Sequence, residues 1–217
     1  MKKVLVLCEG QTEETFIRDV LAPHLVTFDK HLVPTQLVTK ETRSGKQFRG
    51  GVAAYSQIRR HIQNLLRDKH AACVTTMLDY YGLPSDFPGK QNLQGNTPHA
   101  RVAWLEKDFA RDINDRRFLP YLTLHEFEAL LFANPAVIFD VLAQPVQNAL
   151  FRNLNRFSSP EEIDDGQATH PAARIRQHLP GYRKPLHGPL IAKRIGLPAI
   201  RSQCSHFDAW LRALEQL

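Results

Sequence analysis

The first half of the chain alternates short apolar runs with amphipathic stretches, which predicts strands alternating with helices. The apolar runs, taken as strands, cover residues 2–8, 32–38, 72–78 and 118–124. Between them, apolar residues recur at the three- and four-residue spacing of a helix that is buried on one side. Strands that alternate with helices favour a parallel sheet with right-handed crossovers, which is the arrangement of α/β folds.

Local signals mark where several of these elements begin. Thr12 suits the N-cap of the first helix, and Thr97 followed by Pro98 is typical of the start of a later one. Pro120 cannot donate to a sheet ladder, so the fourth strand is expected to be an edge or bulged strand. The sequence from His125 onward is predicted to open a helix.

The second half of the chain is mainly helical in pattern. Helices are predicted at about residues 135–155, 171–178, 189–195 and 205–217. We therefore expect an α/β core over residues 1–133 and a helical C-terminal extension over residues 134–217 that packs on it. A single domain that combines both parts is the alternative, because 217 residues suffice for either arrangement.

The charge of the chain bears on its partners. The formal net charge is +6 at pH 7, and the sequence pI is about 9.4. A basic excess of this size is compatible with a polyanion such as nucleic acid, and also with an ordinary solvated surface. The charge therefore permits a nucleic-acid partner without requiring one.

Cysteine usage and the length of the apolar runs bear on location. Cys8, Cys73 and Cys204 are far apart and odd in number, so they are interpreted as small buried apolar residues. Neither a disulfide framework nor a zinc motif fits that spacing, which favours a reducing cytoplasm. The apolar run near the start is too short for a signal peptide, and we expect no membrane-spanning segment.

Acidic residues follow three of the predicted strands. They are Glu9, Glu13 and Glu14 after the first strand, Asp79 after the third, and Glu126 and Glu128 after the fourth. If these strands are parallel neighbours, the carboxylates meet at one edge of the sheet, where open α/β folds bind ligands. Crowded carboxylates repel each other, and a hard divalent cation such as Mg²⁺ or Mn²⁺ removes that repulsion. The pattern therefore predicts a metal site.

Each acid also has an ordinary structural explanation. Glu13 lies in the first turn of a helix, where the helix dipole favours a carboxylate without any metal. Asp79 follows a strand, where aspartate is often a turn or capping residue. Glu126 and Glu128 cannot both face one side of a helix, so at least one of them is expected to be structural. Convergence of three strand ends is what favours the metal site.

A basic loop at residues 40–51 offers contacts to a phosphate backbone. Its glycines let backbone amides approach phosphate, although the loop lacks the spacing of a P-loop. A flexible solvated loop is the alternative. The cations of this loop that are candidate nucleic-acid contacts are Lys40, Arg43, Lys46 and Arg49.

Two tyrosines and two lysines complete the candidate set. Tyr80 and Tyr81 can stack on unpaired bases, although packing of their loop onto the sheet explains them equally well. Lys184 or Lys193, from a second basic stretch, can stabilise the charge that develops in phosphoryl transfer. Surface solvation is the alternative for most residues of that stretch.

Five stretches of the chain carry a resemblance to a known family. Three are residues 7–13 (LCEGQTE), 78–89 (LDYYGLPSDFPG) and 125–132 (HEFEALLF), and two are residues 191–197 (IAKRIGL) and 204–211 (CSHFDAWL). Together they resemble a bacterial family of unknown function, DUF4276. The resemblance covers nearly the whole chain.

That family is similar to TOPRIM domains, the metal-binding α/β fold of topoisomerases, primases and nucleases of the overcoming-lysogenization-defect type. The resemblance implies that Glu9 matches the TOPRIM glutamate after the first strand, and Asp79 the first Asp of an Asp-x-Asp motif. Glu13 resembles an additional acid of the nucleases. At the second Asp position stands Tyr81, a poor Mg²⁺ ligand because its phenol is normally protonated. Candidates to complete the set are Asp86, Glu126 and Glu128.

The resemblance implies a TOPRIM-like, or Rossmann-like, parallel sheet flanked by helices and a Mg²⁺-dependent phosphodiester hydrolase that acts on nucleic acid. Glu9, Asp79 and one of the two later glutamates would hold metal, with Glu13 supporting a second ion. Such proteins often work with an ATPase of the ABC or AAA type in anti-phage defence, and this chain has no ATPase motif of its own. The alternative, which Tyr81 favours, is a non-catalytic module that binds nucleotide, nucleic acid or the ATPase.

Overall fold

A computed structural model describes residues 1–41, 47–49, 54–151, 154–163 and 170–217 of the chain. The strands are β1 (Lys2–Cys8), β2 (Lys30–Gln36), β3 (Val38–Glu41), β4 (Gln47–Arg49), β5 (Ala71–Asp79), β6 (Phe118–Leu119) and β7 (Leu122–Thr123). The α-helices are α1 (Gln11–Phe16), α2 (Ala22–Val26), α3 (Tyr55–Leu66), α4 (Pro98–Ile113), α5 (Ala136–Val141), α6 (Asn148–Phe151), α7 (Pro171–His178), α8 (Lys184–Ile195), α9 (Leu197–Gln203) and α10 (Ser205–Gln216). A π-helical turn, Ile17–Leu21, joins α1 to α2, and a 3₁₀ helix, Phe127–Ala133, follows β7.

The main sheet is open and parallel, which confirms the predicted arrangement. Its order is β2-β1-β5-β6, and β7 also pairs with β5. The chain leaves β1 for β2 in one direction and later returns to β5 on the other side of β1. Open α/β sheets bind ligands at the carboxyl ends of the strands where such a reversal occurs. Here that switch point lies between the ends of β1 and β5.

Helices cover both faces of the sheet, which explains why β1 is apolar throughout. Val4, Val6 and Cys8 belong to one apolar cluster, and Leu5 and Leu7 belong to another. Side chains alternate between the faces of a strand, so each face receives alternate residues. Helices α3 and α4 contribute to the second cluster, whereas α1, α2 and the helices of the second half contribute to the first. The fold is therefore a Rossmann-like α/β fold with a mostly helical C-terminal region.

The C-terminal helices share their apolar cluster with the first half of the chain. Phe16 of α1 packs against Phe127, with ring centroids 5.3 Å apart, and against Phe207 of α10, with centroids 6.1 Å apart. Ile191 of α8 lies in the same cluster. One apolar cluster thus spans the boundary expected between residues 133 and 134.

Two element boundaries in the first half differ from the prediction. The first helix begins at Gln11 with Gly10 as N-cap, not at Thr12. The side chain of Glu13 accepts a hydrogen bond from the Gly10 amide at 3.0 Å. This is the hydrogen bond by which the third residue of a helix pairs with the N-cap amide in a capping box. The strand predicted at residues 118–124 is two short strands, β6 and β7, because Pro120 interrupts the ladder.

The second half also contains one wrong prediction and one shifted boundary. In place of a single helix at residues 135–155 there are the short helices α5 and α6 and a 3₁₀ turn, Leu154–Arg156. Ala143, in the left-handed region at φ 50°, and Pro145 after it prevent a continuous helix. Helix α8 begins at Lys184, before the expected start at Pro189, because Pro185 already suits its first turn.

Three further elements differ from the prediction: the second strand is Lys30–Gln36, the helix expected from His125 is a 3₁₀ helix that begins at Phe127, and the expected loop at residues 40–51 includes the end of β3 and all of β4. The expectations for Thr97 and for the three cysteines are confirmed. The Thr97 hydroxyl accepts a hydrogen bond from the Ala100 amide at 3.2 Å and caps α4. Cys8, Cys73 and Cys204 are free and buried. Among the described residues, no helix is both long enough and apolar enough to cross a membrane.

Candidate functional site

Glu9 and Asp79 lie together at the switch point of the sheet. Glu9 follows β1 directly, and Asp79 is the last residue of β5, the parallel neighbour of β1. The amide of Asp79 donates a hydrogen bond to Oε2 of Glu9 at 3.3 Å. The two strand ends are therefore joined through one of the predicted site residues.

The 3₁₀ helix after β7 brings Glu128 to the same place. Oδ1 of Asp79 accepts a hydrogen bond from the Phe127 amide at 3.0 Å, which ties this helix to the end of β5. Glu128 is completely buried. Its Oε1 accepts a hydrogen bond from the hydroxyl of Tyr182 at 3.2 Å, so the carboxylate is held in a fixed orientation.

Lys184, the first residue of α8, lies among the acids. Its Nζ is 3.1 Å from Oδ2 of Asp79, 3.1 Å from Oε2 of Glu128 and 3.5 Å from Oε1 of Glu13. We refer to Glu9, Glu13, Asp79 and Glu128 as the acidic cluster. Glu9 and Asp79 lie at the carboxyl ends of β1 and β5, Glu13 lies in α1, and Glu128 lies in the 3₁₀ helix.

Gly188 allows α8 to approach closely enough to place Lys184. A Cβ atom at Gly188 would lie 3.1 Å from a ring carbon of Phe127, 3.2 Å from the methyl of Thr12 and 3.3 Å from the Tyr182 hydroxyl. Gly188 lies about one helical turn after Lys184, since a turn has about 3.6 residues. The position of the lysine therefore depends on the absence of a side chain at Gly188.

Gly188→Val is expected to lower the free energy of unfolding by about 1–3 kcal/mol, because overpacking forces α8 away from its neighbours. Urea unfolding of the purified variant measures this. The matched control is Gly181→Val, because a Cβ at Gly181 would meet nothing within 4 Å. Equal stability of Gly188→Val and the wild type would contradict the close approach.

Burial and neighbouring charges shift the pKa values of Glu9, Asp79, Glu128 and Lys184. Burial, followed by the charge of Glu13, raises the pKa of Glu9. Burial raises the pKa of Glu128, and it raises that of Asp79 well above its usual value, with Lys184 opposing both shifts. Burial alone would lower the pKa of Lys184, but the charges of Asp79, Glu128 and Glu13 raise it well above its usual value. Lys184 is therefore a cation at neutral pH.

The donors of the acidic cluster fit a hard divalent cation. Four carboxylates face one ammonium, so negative charge is in excess. Among the described residues, Oε1 of Glu13 and Oε2 of Glu128 are buried without a well-aligned hydrogen bond. Oxygen donors of this kind are what Mg²⁺ and Mn²⁺ prefer.

The ammonium of Lys184 occupies the space between these donors. Within the described parts of the chain, no three His, Cys, Asp or Glu side chains are already arranged around a common metal position. A bound metal would therefore have to replace the contacts of Lys184 with Asp79 and Glu128, which are 3.1 Å long.

A cleft of about 670 Å³ opens beside the acidic cluster. Its walls include Glu9, Glu13, Gln36 and Lys184, together with the first turn of α1. The cleft gives a ligand access to Glu9, Glu13 and Lys184, whereas Asp79 and Glu128 are buried behind them and do not line it. It lies where the strand-end acids predicted a site.

The other two candidate acids, Glu126 and Asp86, contact groups outside the acidic cluster. Oε1 of Glu126 lies 2.8 Å from Nδ1 of His170 and accepts a hydrogen bond from the Ala172 amide. Asp86 accepts a hydrogen bond from the Tyr55 amide at 3.2 Å and so lies at the start of α3. Of the candidates to complete the acid set, only Glu128 contacts Lys184.

The two tyrosines after Asp79 have different environments. Tyr80 packs against the apolar cluster under α3 and α4. Tyr81 is 53% exposed and stacks on His170. The two neighbouring side chains therefore differ, because Tyr80 packs into the protein and Tyr81 lies at the surface.

The remaining cations that the sequence singled out lie elsewhere or outside the described residues. Lys193 is exposed and lies nine residues after Lys184, about 13 Å along the axis of α8 and on its opposite side. Lys40 lies in β3 and Arg49 in β4, which pair in an antiparallel hairpin. Arg43 and Lys46 lie outside the described residues.

Comparison with known proteins places the chain in one family. A model of the family described as a domain of unknown function (DUF4276) matches residues 8–215. No curated protein and no solved structure matches. The matched range contains the whole acidic cluster and Lys184.

Proposed function

The chain belongs to the DUF4276 family, and from its site we propose that it is a Mg²⁺- or Mn²⁺-dependent phosphodiester hydrolase that acts on nucleic acid. The convergence of strand-end and helix carboxylates around Lys184, beside an open cleft at the switch point, carries this proposal. Acids with raised pKa values, here Glu9, Asp79 and Glu128, that lie close to a cation are typical of active sites.

We also propose a relationship to TOPRIM domains. The TOPRIM glutamate and aspartate follow neighbouring strands, and here Glu9 and Asp79 lie at the ends of β1 and β5, which pair in parallel. In this proposal Glu128 supplies the carboxylate that the second aspartate supplies in TOPRIM domains. The position of Glu128 beside Asp79, through their shared contact with Lys184, supports this correspondence.

Each residue of the site has a separate role in this proposal. Glu9, Asp79 and Glu128 would hold the metal, and Glu13 would support a second ion while it caps α1. When bound, the metal polarises a phosphoryl oxygen and activates water. Lys184, released from its acids, would stabilise the negative charge that develops on the phosphoryl oxygens.

The proposed partners follow from the TOPRIM resemblance. We propose a cytoplasmic protein of bacterial anti-phage defence that works with a separately encoded ATPase of the ABC or AAA type. The free, buried state of the three cysteines is compatible with a reducing compartment.

A cleavage assay tests the proposed activity. Purified protein is incubated with single-stranded and duplex DNA and RNA in Mg²⁺ or Mn²⁺, with and without the proposed ATPase partner. We expect cleavage that EDTA abolishes. Cleavage that persists in EDTA would show that the reaction does not depend on a divalent metal.

Stabilisation by Mn²⁺ is expected to grow from about pH 5 to about pH 8, because protonated carboxyls must lose their protons before they bind metal. The raised pKa values of Glu9, Asp79 and Glu128 place that loss above the usual range for carboxyl groups. Thermal unfolding with and without Mn²⁺ measures the difference in Tm at each pH. An equal shift in Tm at both ends of the range would contradict metal binding by these acids.

In the metal-free protein, the stability contributed by Glu9, Asp79 and Glu128 is expected to fall as the pH rises. A carboxyl whose pKa is raised by folding contributes stability that is complete below the unfolded pKa of about 4. That contribution is lost as the pH rises through the folded pKa, because the folded state then holds the unfavourable charges. Unfolding in EDTA over the same pH range gives this baseline.

A second candidate function is a non-catalytic module that binds nucleotide, nucleic acid or the partner ATPase. The ion pairs of Lys184 with three acids favour it, because they offset part of the cluster's charge without a metal. In that case the assays would show no cleavage and no shift in Tm with Mn²⁺, while binding of nucleic acid or of the ATPase would persist.

A further inference from the structure

We propose that Tyr81 and His170 form a stacking platform for an unpaired base, so that the substrate is single-stranded nucleic acid. This inference rests on the proposed function, because it names the substrate class of the same site. The two rings are stacked, with centroids 5.8 Å apart and planes 20° from parallel.

The exposure of Tyr81 leaves room for a ligand. His170 lies nearly parallel to the Tyr81 ring but is displaced sideways from it, and Tyr81 remains 53% exposed. A large aromatic side chain in that state has a flat surface on which another ring can stack. Stacking of bases on such rings is the common means by which proteins bind single strands.

Both halves of the platform are anchored. The amide of Tyr81 donates a hydrogen bond to the carbonyl oxygen of His125 at 3.0 Å. Nδ1 of His170 lies 2.8 Å from Oε1 of Glu126, which also accepts the Ala172 amide at the start of α7. A preorganised surface loses less conformational entropy when a ligand binds. Glu126 and His170 are therefore positioning residues for Tyr81.

The platform adjoins the acidic cluster through two chain segments. Tyr81 is two residues beyond Asp79, and Glu126 is two residues before Glu128. Two residues of extended chain span at most about 7 Å, so the platform borders the acids. A base on Tyr81 would belong to a nucleotide close to the phosphate at the cluster. In a duplex the base faces are already stacked, and exposing one requires unstacking.

Binding measurements with matched variants test the platform. Fluorescence anisotropy would compare single strands of about 15 nucleotides, as DNA and as RNA, with a blunt duplex of the same sequence, in Ca²⁺. The variants are Tyr81→Ala and Tyr81→Phe. The control is Phe28→Ala, because Phe28 is 40% exposed and adjoins Asp29, whose carbonyl accepts the Lys2 amide at the opposite, amino end of β1.

We expect Tyr81→Ala to weaken single-strand binding about 5- to 150-fold, the range for loss of one base stack, and duplex binding less than about twofold. Tyr81→Phe is expected to retain most of the single-strand affinity, and Phe28→Ala to match the wild type. Equal loss on strand and duplex, or no loss on either, would overturn the platform. A selective loss without any cleavage would uphold the platform and refute the hydrolase.

An abasic scan locates the base that stacks. One base at a time is removed from the strand, and each strand is tested with the wild type and Tyr81→Ala. At one position, removal of the base should weaken binding by the wild type about as much as Tyr81→Ala weakens binding of the intact strand. Removal of that same base should not weaken binding by Tyr81→Ala any further. Losses that add at every position would show that Tyr81 contacts no base.

Discussion

Asp79→Asn is expected to lower the single-turnover rate constant of metal-dependent cleavage by about a thousandfold or more, because it removes a central carboxylate of the site. Asparagine keeps an oxygen that can accept the Phe127 amide, whose donor lies 3.0 Å from Oδ1. The fold should therefore survive, and loss of activity would report on the missing charge. Glu9→Gln is expected to behave in the same manner.

The matched control for this substitution is Asp86→Asn. Asp86 lies in the same stretch of chain but accepts a hydrogen bond from Tyr55 at the start of α3. We expect it to retain cleavage at close to the wild-type rate. The measurement is single-turnover cleavage in Mg²⁺ with circular dichroism of each variant. Full activity of Asp79→Asn would place the reaction at another site.

Lys184→Met is expected to lower the free energy of unfolding by about 3 kcal/mol in EDTA near pH 8, because it leaves buried carboxylates without their cation. Lys184 has three acids within 3.5 Å. The same variant should gain more stability from Mn²⁺ than the wild type does, because the ammonium no longer competes for the same oxygens. Its cleavage rate should nevertheless fall, since the phosphoryl oxygens lose a positive partner.

Urea unfolding in EDTA and in Mn²⁺ measures the loss of stability and the stabilisation by Mn²⁺. Lys193→Met is the control. Lys193 lies on the same helix and is exposed. Its substitution should change stability by less than about 0.5 kcal/mol, as is usual for surface sites. If Lys184→Met unfolded at the wild-type urea concentration in EDTA, the ion pairs would contribute nothing. If Mn²⁺ did not restore its stability, metal and ammonium would not share one position.

The sequence located the centre of the site because strands carry their own local signals. The apolar runs before Glu9 and Asp79 predicted two buried strands, and the acids marked their ends. Parallel pairing then required both ends to meet at one edge, which the β1–β5 pair confirms. This part depended on short-range pattern and on one general rule of α/β topology.

The choice between similar residues could not be made from the sequence. Glu126 and Glu128 are two residues apart, and only the packing of α7 and α8 decides that the first meets His170 and the second Lys184. Lys184 lies 105 residues after Asp79, so no local pattern separates it from Lys193.

Tyr182 and His170 were not among the predicted site residues. Tyr182 donates to Glu128, and His170 lies against both Tyr81 and Glu126. Each is in a segment of the second half whose partners are distant in sequence. The local hint in the sequence is that Tyr182 directly precedes the basic residues Arg183 and Lys184.

The most direct test of the metal site is an anomalous-difference map from crystals soaked in Mn²⁺. We expect a peak bound by Asp79 together with Glu9 and Glu128. We also expect Nζ of Lys184 to leave its position 3.1 Å from Asp79 and Glu128. A map without a peak at the acidic cluster, with Lys184 still between the carboxylates, would contradict the proposal that these acids hold a metal.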